Sequence, residues 1–163
     1  MSEEPSPYTT PKARVDDAPE PANRGFRWKA VLVGAATDLG CSAVSGIVIF
    51  MFFSWWLTGD ASSVADRLEK LAAHWPFMLI SMLVGASFTV LGGYVAGRMA
   101  RQAFLKHALA SGAVSLVLGI ILFHQDTGPY AGLLATVGYG LHLPLAVLGG
   151  WLALRQFNEE SGR

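Results

Sequence analysis

The sequence predicts an all-α fold: an integral membrane four-helix bundle. Three observations predict it. Hydrophobic residues make up 52% of the 163 and charged residues only 15%, where a soluble domain carries about a quarter charged residues. Mean hydropathy is +0.40. Four apolar runs, at about 30–57, 76–97, 103–123 and 130–154, each reach the roughly 20 residues that cross a ~30 Å hydrocarbon core. Runs this apolar leave almost no polar face for water, which argues against a soluble bundle. Backbone groups in lipid must be satisfied within their own segment, so the runs are read as helices even where Gly and β-branched residues would weaken them in water.

The chain divides around these runs. Residues 1–25 are polar, with prolines at Pro5, Pro7, Pro11, Pro19 and Pro21. Such a segment buries too little apolar area to offset its ordering entropy and is expected to be a disordered cytoplasmic tail. It holds no apolar core, so it is not read as a cleaved secretory signal. The transmembrane domain is expected over 26–156, followed by a short cytoplasmic tail, 157–163. The first run exceeds the hydrocarbon thickness and must tilt or enter the headgroups. Connections of about five or six residues at 98–102 and 124–129 make their flanking helices antiparallel neighbours. Between the first two runs, Val64, Leu68, Leu71 and Trp75 recur at helical spacing. With Ser63 as cap and Asp66 three residues on, this predicts an amphipathic helix over about 62–74 in the outer interface.

Lys and Arg fix the expected orientation. Lys12, Arg14, Arg24, Arg27 and Lys29 precede the first helix; Arg98, Arg101 and Lys106 surround the second connection; Arg155 and Arg163 follow the fourth helix. The opposite side carries only Arg67 and Lys70, and "HQDTGP" (124–129) has neither residue. A multi-pass protein of the cell inner membrane with both termini cytoplasmic is expected. Trp28 and Trp151 would mark the inner interface, and Trp55, Trp56, Trp75 and Tyr130 the outer one.

One phrase is written nearly twice: "VLGGYVAGR" (Val90–Arg98) and "VLGGWLALR" (Val147–Arg155). Both close helices that run in the same direction. This pattern fits a parallel internal repeat of two helical hairpins. Apolar sequence of low complexity also matches itself by chance, so duplication and coincidence both stay open. The chemistry of the phrase is clearer. Helices in lipid gain little from burying apolar surface against each other, so small residues that allow close approach carry the association. The second helix has Ser81, Gly85, Thr89, Gly93 and Gly97 at four-residue spacing; the third has Ala108, Gly112, Ser115 and Gly119; the fourth has Gly138, His142, Ala146, Gly149 and Ala153. Gly85, Gly93, Gly97, Gly112 and Gly149 are therefore expected at helix contacts. Arg98 and Arg155, just beyond, are expected as cytoplasmic anchors whose long side chains reach the headgroups.

Asp38 is the most informative residue. It lies ten residues from Trp28, or ~15 Å along a helix. An aspartate at a helix centre costs about 2.5–3.5 kcal/mol to insert, which the surrounding Val, Leu, Ile and Phe offset. The carboxylate still needs a partner. His142, nine residues before Trp151, falls at ~13–14 Å. Counted from Arg98 and Arg101, Thr89 and Ser111 fall near the same depth. One polar layer is expected from Asp38, Thr89, Ser111 and His142. Pro144 frees a backbone carbonyl near it. The layer has three readings: hydrogen-bonding glue between helices, a proton or ion site, or a docking point for a partner's helix.

The sequence holds no HExxH, GxSxG, Walker loop or CxxC motif, so no enzyme, metal or cofactor is expected. Zero net charge marks no nucleic-acid partner. The expected partners are the lipid bilayer and a homo-oligomer or larger membrane complex. Cys41 sits in an apolar run and is read as a small buried hydrophobe. "VLVGAATDLG" (Val31–Gly40) followed by "GGYVAGRMAR" (Gly92–Arg101) resembles a group of uncharacterised small four-helix bacterial inner-membrane proteins. The resemblance spans most of the chain beyond the first 25 residues. It implies an integral membrane protein and carries no activity with it. The function expected is structural or accessory; the alternative is a small oligomeric transporter or channel using the Asp/His layer.

Overall fold

The computed structural model describes residues 25–57, 63–123 and 131–162. The tail 1–24, the segment "HQDTGP" and Tyr130 lie outside the described residues. The described chain is all-helical: α1 (Trp28–Leu57), α2 (Val64–Ala72), α3 (Trp75–Ala100), α4 (Phe104–Phe123) and α5 (Ala131–Ser161). Four of these, all but α2, are long and apolar enough to cross a membrane.

α3 and α4 each touch all three other long helices, while α1 and α5 face each other across the core. Register contacts give the directions. A Cβ added at Gly34 of α1 would fall 2.6 Å from the Gly92 carbonyl oxygen of α3, so those helices approach to backbone contact. α3 and α5 run parallel. An added Cβ at Gly93 would strike the Ala146 carbonyl, one at Gly149 the Val90 carbonyl, and one at Gly97 would lie 3.2 Å from the Ala153 Cβ. The two copies of the repeated phrase therefore pack against each other. On α4, Gly112 meets Ala146, and Ala108 meets Gly150 of α5.

The adjacent glycines of each phrase serve different neighbours. Gly92 faces α1 and Gly93 faces α5; Gly149 faces α3 and Gly150 faces α4. Four residues turn a helix by ~40° beyond a full circle. A row at strict four-residue spacing therefore winds around the helix, and α3 presents small residues on two sides rather than in one stripe. Gly85 differs from the other four expected packing glycines: nothing lies within 4 Å of an added Cβ there.

Packing is unequal along the bundle. Gly34, Gly92, Gly93, Gly97, Gly112, Gly149 and Gly150, towards the end where α1 begins and α5 finishes, all approach a neighbouring helix closely. Gly40, Gly46, Gly85, Gly119, Gly132, Gly138 and Gly140, towards the α2 end, approach none. Among the described residues, α3, α4 and α5 have no fully buried position on the α2 side of Thr89, Ser115 and Ala146. At the far end Phe53 of α1 packs edge-on to Phe77 of α3, 5.5 Å between centroids, and Leu71 and Ala72 of α2 are buried. One half is thus locked backbone to backbone, and the other is loosely packed beneath a small apolar cap.

The shorter features have local causes. Ser63 Oγ accepts the Asp66 amide at 3.1 Å, capping α2, and Lys70 pairs with Asp66 at 3.3 Å. Of the face expected to be apolar, Leu71 is buried, while Val64, Leu68 and Trp75 are exposed. Trp28 and Trp151 at one end, and Trp55, Trp56 and Trp75 at the other, all stand exposed. α5 runs without a break through Pro144 and on to Ser161, so residues 157–161, expected as a tail, are helical. They are held there by partners on α3. Arg98 donates two hydrogen bonds to Glu160, at 2.6 and 2.8 Å, and Tyr94 donates to Gln156. Arg98 is therefore engaged with protein rather than reaching outward alone. Arg155 pairs with Glu159 at 3.0 Å and lies 6.0 Å from the Trp151 ring centre.

His107 fixes the start of α1. Its ring is buried, stacked on Phe26, and its Nε2 accepts the Arg27 amide at 2.9 Å. Its Nδ1 lies 3.0 Å from the Ala103 carbonyl, which sets Nδ1 as donor and Nε2 as acceptor. Arg27 precedes the first helical turn, and its carbonyl accepts from Ala30. His107→Ala leaves that amide without an acceptor. It is expected to cost about 1–3 kcal/mol and to speed amide exchange in the first turn of α1, read by mass spectrometry in lipid discs.

Candidate functional site: a polar cluster drawn from four helices

Each long helix contributes one polar side chain to a single cluster: Asp38 from α1, Thr89 from α3, Ser115 from α4 and His142 from α5. The positions follow from where the helices meet. Asp38 sits one turn beyond Gly34, so the close α1–α3 approach carries its side chain into the core against Gly92. Thr89 lies one turn from Gly93 on α3. Ser115 follows Gly112 on α4, and His142 precedes Ala146 on α5, the pair that meets at the α4–α5 contact.

Asp38, Thr89 and Ser115 are 4%, 4% and 1% exposed. The Asp38 carboxylate uses both oxygens. Oδ1 accepts from the Thr89 hydroxyl at 3.2 Å, and Oδ2 accepts from the Ser115 hydroxyl at 2.7 Å. His142 closes the set. Its Nε2 lies 2.8 Å from Ser115 Oγ and 3.2 Å from Asp38 Oδ2; its Nδ1 lies 3.4 Å from Thr89 Oγ1. Thr89 and Ser115 also lie 3.2 Å from the carbonyls of Gly85 and Gly112. His142 is the most open member, with its side chain 19% exposed against 5% for Asp38.

Three of the four residues expected in the layer, Asp38, Thr89 and His142, come together. Ser111 does not join them. It is buried one turn nearer the end where α1 begins, its Oγ 2.5 Å from where a Gly34 Cβ would stand. Ser115 takes the place expected for it. The signal was present, because Ser115 shares a small-residue row with Ala108 and Gly112. Of the packing residues, Gly93, Gly97, Gly112 and Gly149 lie at helix contacts, and Gly85 serves the cluster only through its carbonyl.

Chemically, the cluster places one acid and one base side by side at mid-span, with a hydroxyl on each flank. Among the described residues no group of three or more His, Cys, Asp or Glu gathers to hold a metal ion. Comparison with protein-family models, with curated proteins and with solved structures finds no match to this chain.

Proposed function

We propose that this chain is a small integral protein of the cell inner membrane, of structural or accessory type, with both termini in the cytoplasm and no catalytic role. It is similar in pattern to the small four-helix bacterial inner-membrane proteins. One observation carries the reading: the Asp38 carboxylate is satisfied by α3, α4 and α5 of its own bundle. A carboxylate meant for another protein's helix would face outward; this one faces inward and fixes the register of all four helices. Partners, whether further copies or a larger membrane complex, would then meet the apolar outer faces.

A second reading, a small oligomeric transporter or channel, is favoured by a separate observation. The α2-side half is loosely packed, and His142 is the cluster member turned least completely inward. Labelling separates the two. In a Cys41→Ser background, Asp38→Cys is expected to resist a membrane-impermeant thiol reagent from both sides under the structural reading. Rapid labelling from the α2 side would move the assignment to transport. Native extraction in polymer discs tests the accessory role. A second protein at fixed stoichiometry supports it, and a pure homo-oligomer counts against it.

A further inference from the structure

We infer that Asp38 and His142 hold one proton in common, passed between them through the Thr89 and Ser115 hydroxyls, so that the cluster is a proton-binding site. This goes beyond the register-holding role. It assigns the site a ligand, and it holds whether or not the chain moves protons across the membrane.

The geometry is a closed ring. One path runs from Asp38 Oδ1 through Thr89 Oγ1 to His142 Nδ1, with steps of 3.2 and 3.4 Å. The other runs from Asp38 Oδ2 through Ser115 Oγ to His142 Nε2, with steps of 2.7 and 2.8 Å. Each imidazole nitrogen is thus joined to one carboxylate oxygen by one hydroxyl, and Nε2 also lies 3.2 Å from Oδ2 directly. A hydroxyl has a single hydrogen and can accept as well as donate, so the ring can be filled in only a few ways.

With imidazolium and carboxylate, both ring N–H groups donate to the hydroxyls, and both hydroxyls donate to the carboxylate. Every donor has an acceptor, and the net charge is zero. A concerted shift then gives a second complete arrangement. The Nδ1 proton passes to Thr89 Oγ1 as the Thr89 hydroxyl proton passes to Asp38 Oδ1. The N–H bond and the old O–H bond break, and a new Thr89 O–H bond and a carboxylic O–H bond form. The products are a neutral imidazole protonated at Nε2 and a carboxylic acid, again with zero net charge. The same shift through Ser115 leaves the imidazole protonated at Nδ1.

The other fillings are poorer. A neutral imidazole beside a carboxylate puts a bare charge at mid-span, where charge is costly. It also forces one hydroxyl to choose between a ring nitrogen and a carboxylate oxygen, leaving one of them short. An imidazolium beside a carboxylic acid carries the opposite uncompensated charge. The one-proton state alone satisfies the ring and keeps the site neutral. The Thr89 and Ser115 hydroxyls also have the Gly85 and Gly112 carbonyls beside them. The proton then belongs to the pair and to neither residue alone.

The test is solid-state NMR of the full chain in lipid bilayers, with labelled histidine ring nitrogens and aspartate carboxyl carbons. His142 and Asp38 are assigned by their loss in His142→Gln and Asp38→Asn. The expected wild-type spectrum at neutral pH shows both His142 nitrogens and the Asp38 carboxyl carbon at values averaged between protonated and deprotonated forms. In Asp38→Asn, His142 is expected to become an ordinary neutral ring with one N–H and one bare nitrogen. A wild-type spectrum already showing that neutral ring beside a fully ionised carboxylate would overturn the shared proton. The wild-type spectrum decides the matter by itself if Asp38→Asn does not fold. The labelling of Asp38→Cys reports on transport independently.

Discussion

Gly149→Leu is expected to destroy the bundle, whereas Gly138→Leu, eleven residues earlier on the same helix, is expected to leave it folded. The two glycines differ in what stands opposite. At Gly149 a new Cβ meets the Val90 carbonyl and lies 2.6 Å from the Tyr94 amide nitrogen; at Gly138 nothing lies within 4 Å. The obstruction at Gly149 is main chain, so no change of side-chain rotamer relieves it. α3 and α5 must separate, and separation also opens the Gly93–Ala146 and Gly97–Ala153 contacts. In lipid these contacts are what holds helices together, because apolar side chains are as well solvated by acyl chains as by one another. Overpacking a core typically costs 1–3 kcal/mol; a clash between backbones is expected to exceed about 3 kcal/mol. Helicity followed through a denaturing-detergent titration reads it directly. Equal midpoints for the two variants would show that the parallel α3–α5 seam does not hold the fold.

Much of the architecture was legible because membrane solvent simplifies the problem. Four long apolar runs leave helices as the only way to satisfy their backbones, and the connection at 98–102 left α3 and α4 no room to be anything but antiparallel. What escaped the sequence were rotations and ends. Gly85 shares a four-residue row with Gly93, yet the row winds about the helix, and at Gly85 the neighbouring helices have moved away. The helical end of α5 was missed because residues 158–161 are polar. Their helix is held by Arg98 and Tyr94 of α3, contacts that no local pattern encodes.

The polar layer was legible to within one turn. Asp38 and His142 were matched by counting inward from Trp28 and Trp151, and both tryptophans do stand exposed at the same end. Counting from Arg101 failed for α4. Arg101 and Ala103 have φ of 58° and 48°, and α4 begins only at Phe104. The chain uses these residues to turn, so the arginine is no measure of where α4 starts. The consequence was Ser111 in place of Ser115, a shift of four residues or ~6 Å.

Asp38→Leu is expected to destabilise the bundle by about 3–5 kcal/mol, the usual cost of removing one partner from a buried charged pair. Adding His142→Leu is expected to recover most of it. Leucine has the branched shape of aspartate, so the single variant removes chemistry more than volume. It strips Thr89 and Ser115 of their carboxylate acceptor and leaves His142 without its acid partner. The second substitution takes away the base that needed the acid, and the two hydroxyls then fall back on the Gly85 and Gly112 carbonyls, each already 3.2 Å away. Asp38→Asn separates hydrogen bonding from charge. The amide can still accept from one hydroxyl and donate to the other, so at about 0.6 kcal/mol for each interhelical bond it is expected to lose far less than leucine. A cycle of Asp38→Leu, His142→Leu and the double variant, read by the same detergent titration, measures the coupling. Strictly additive costs would mean that the acid and the base do not act as a pair. A loss in Asp38→Asn equal to that in Asp38→Leu would mean that charge, not hydrogen bonding, holds the four helices in register.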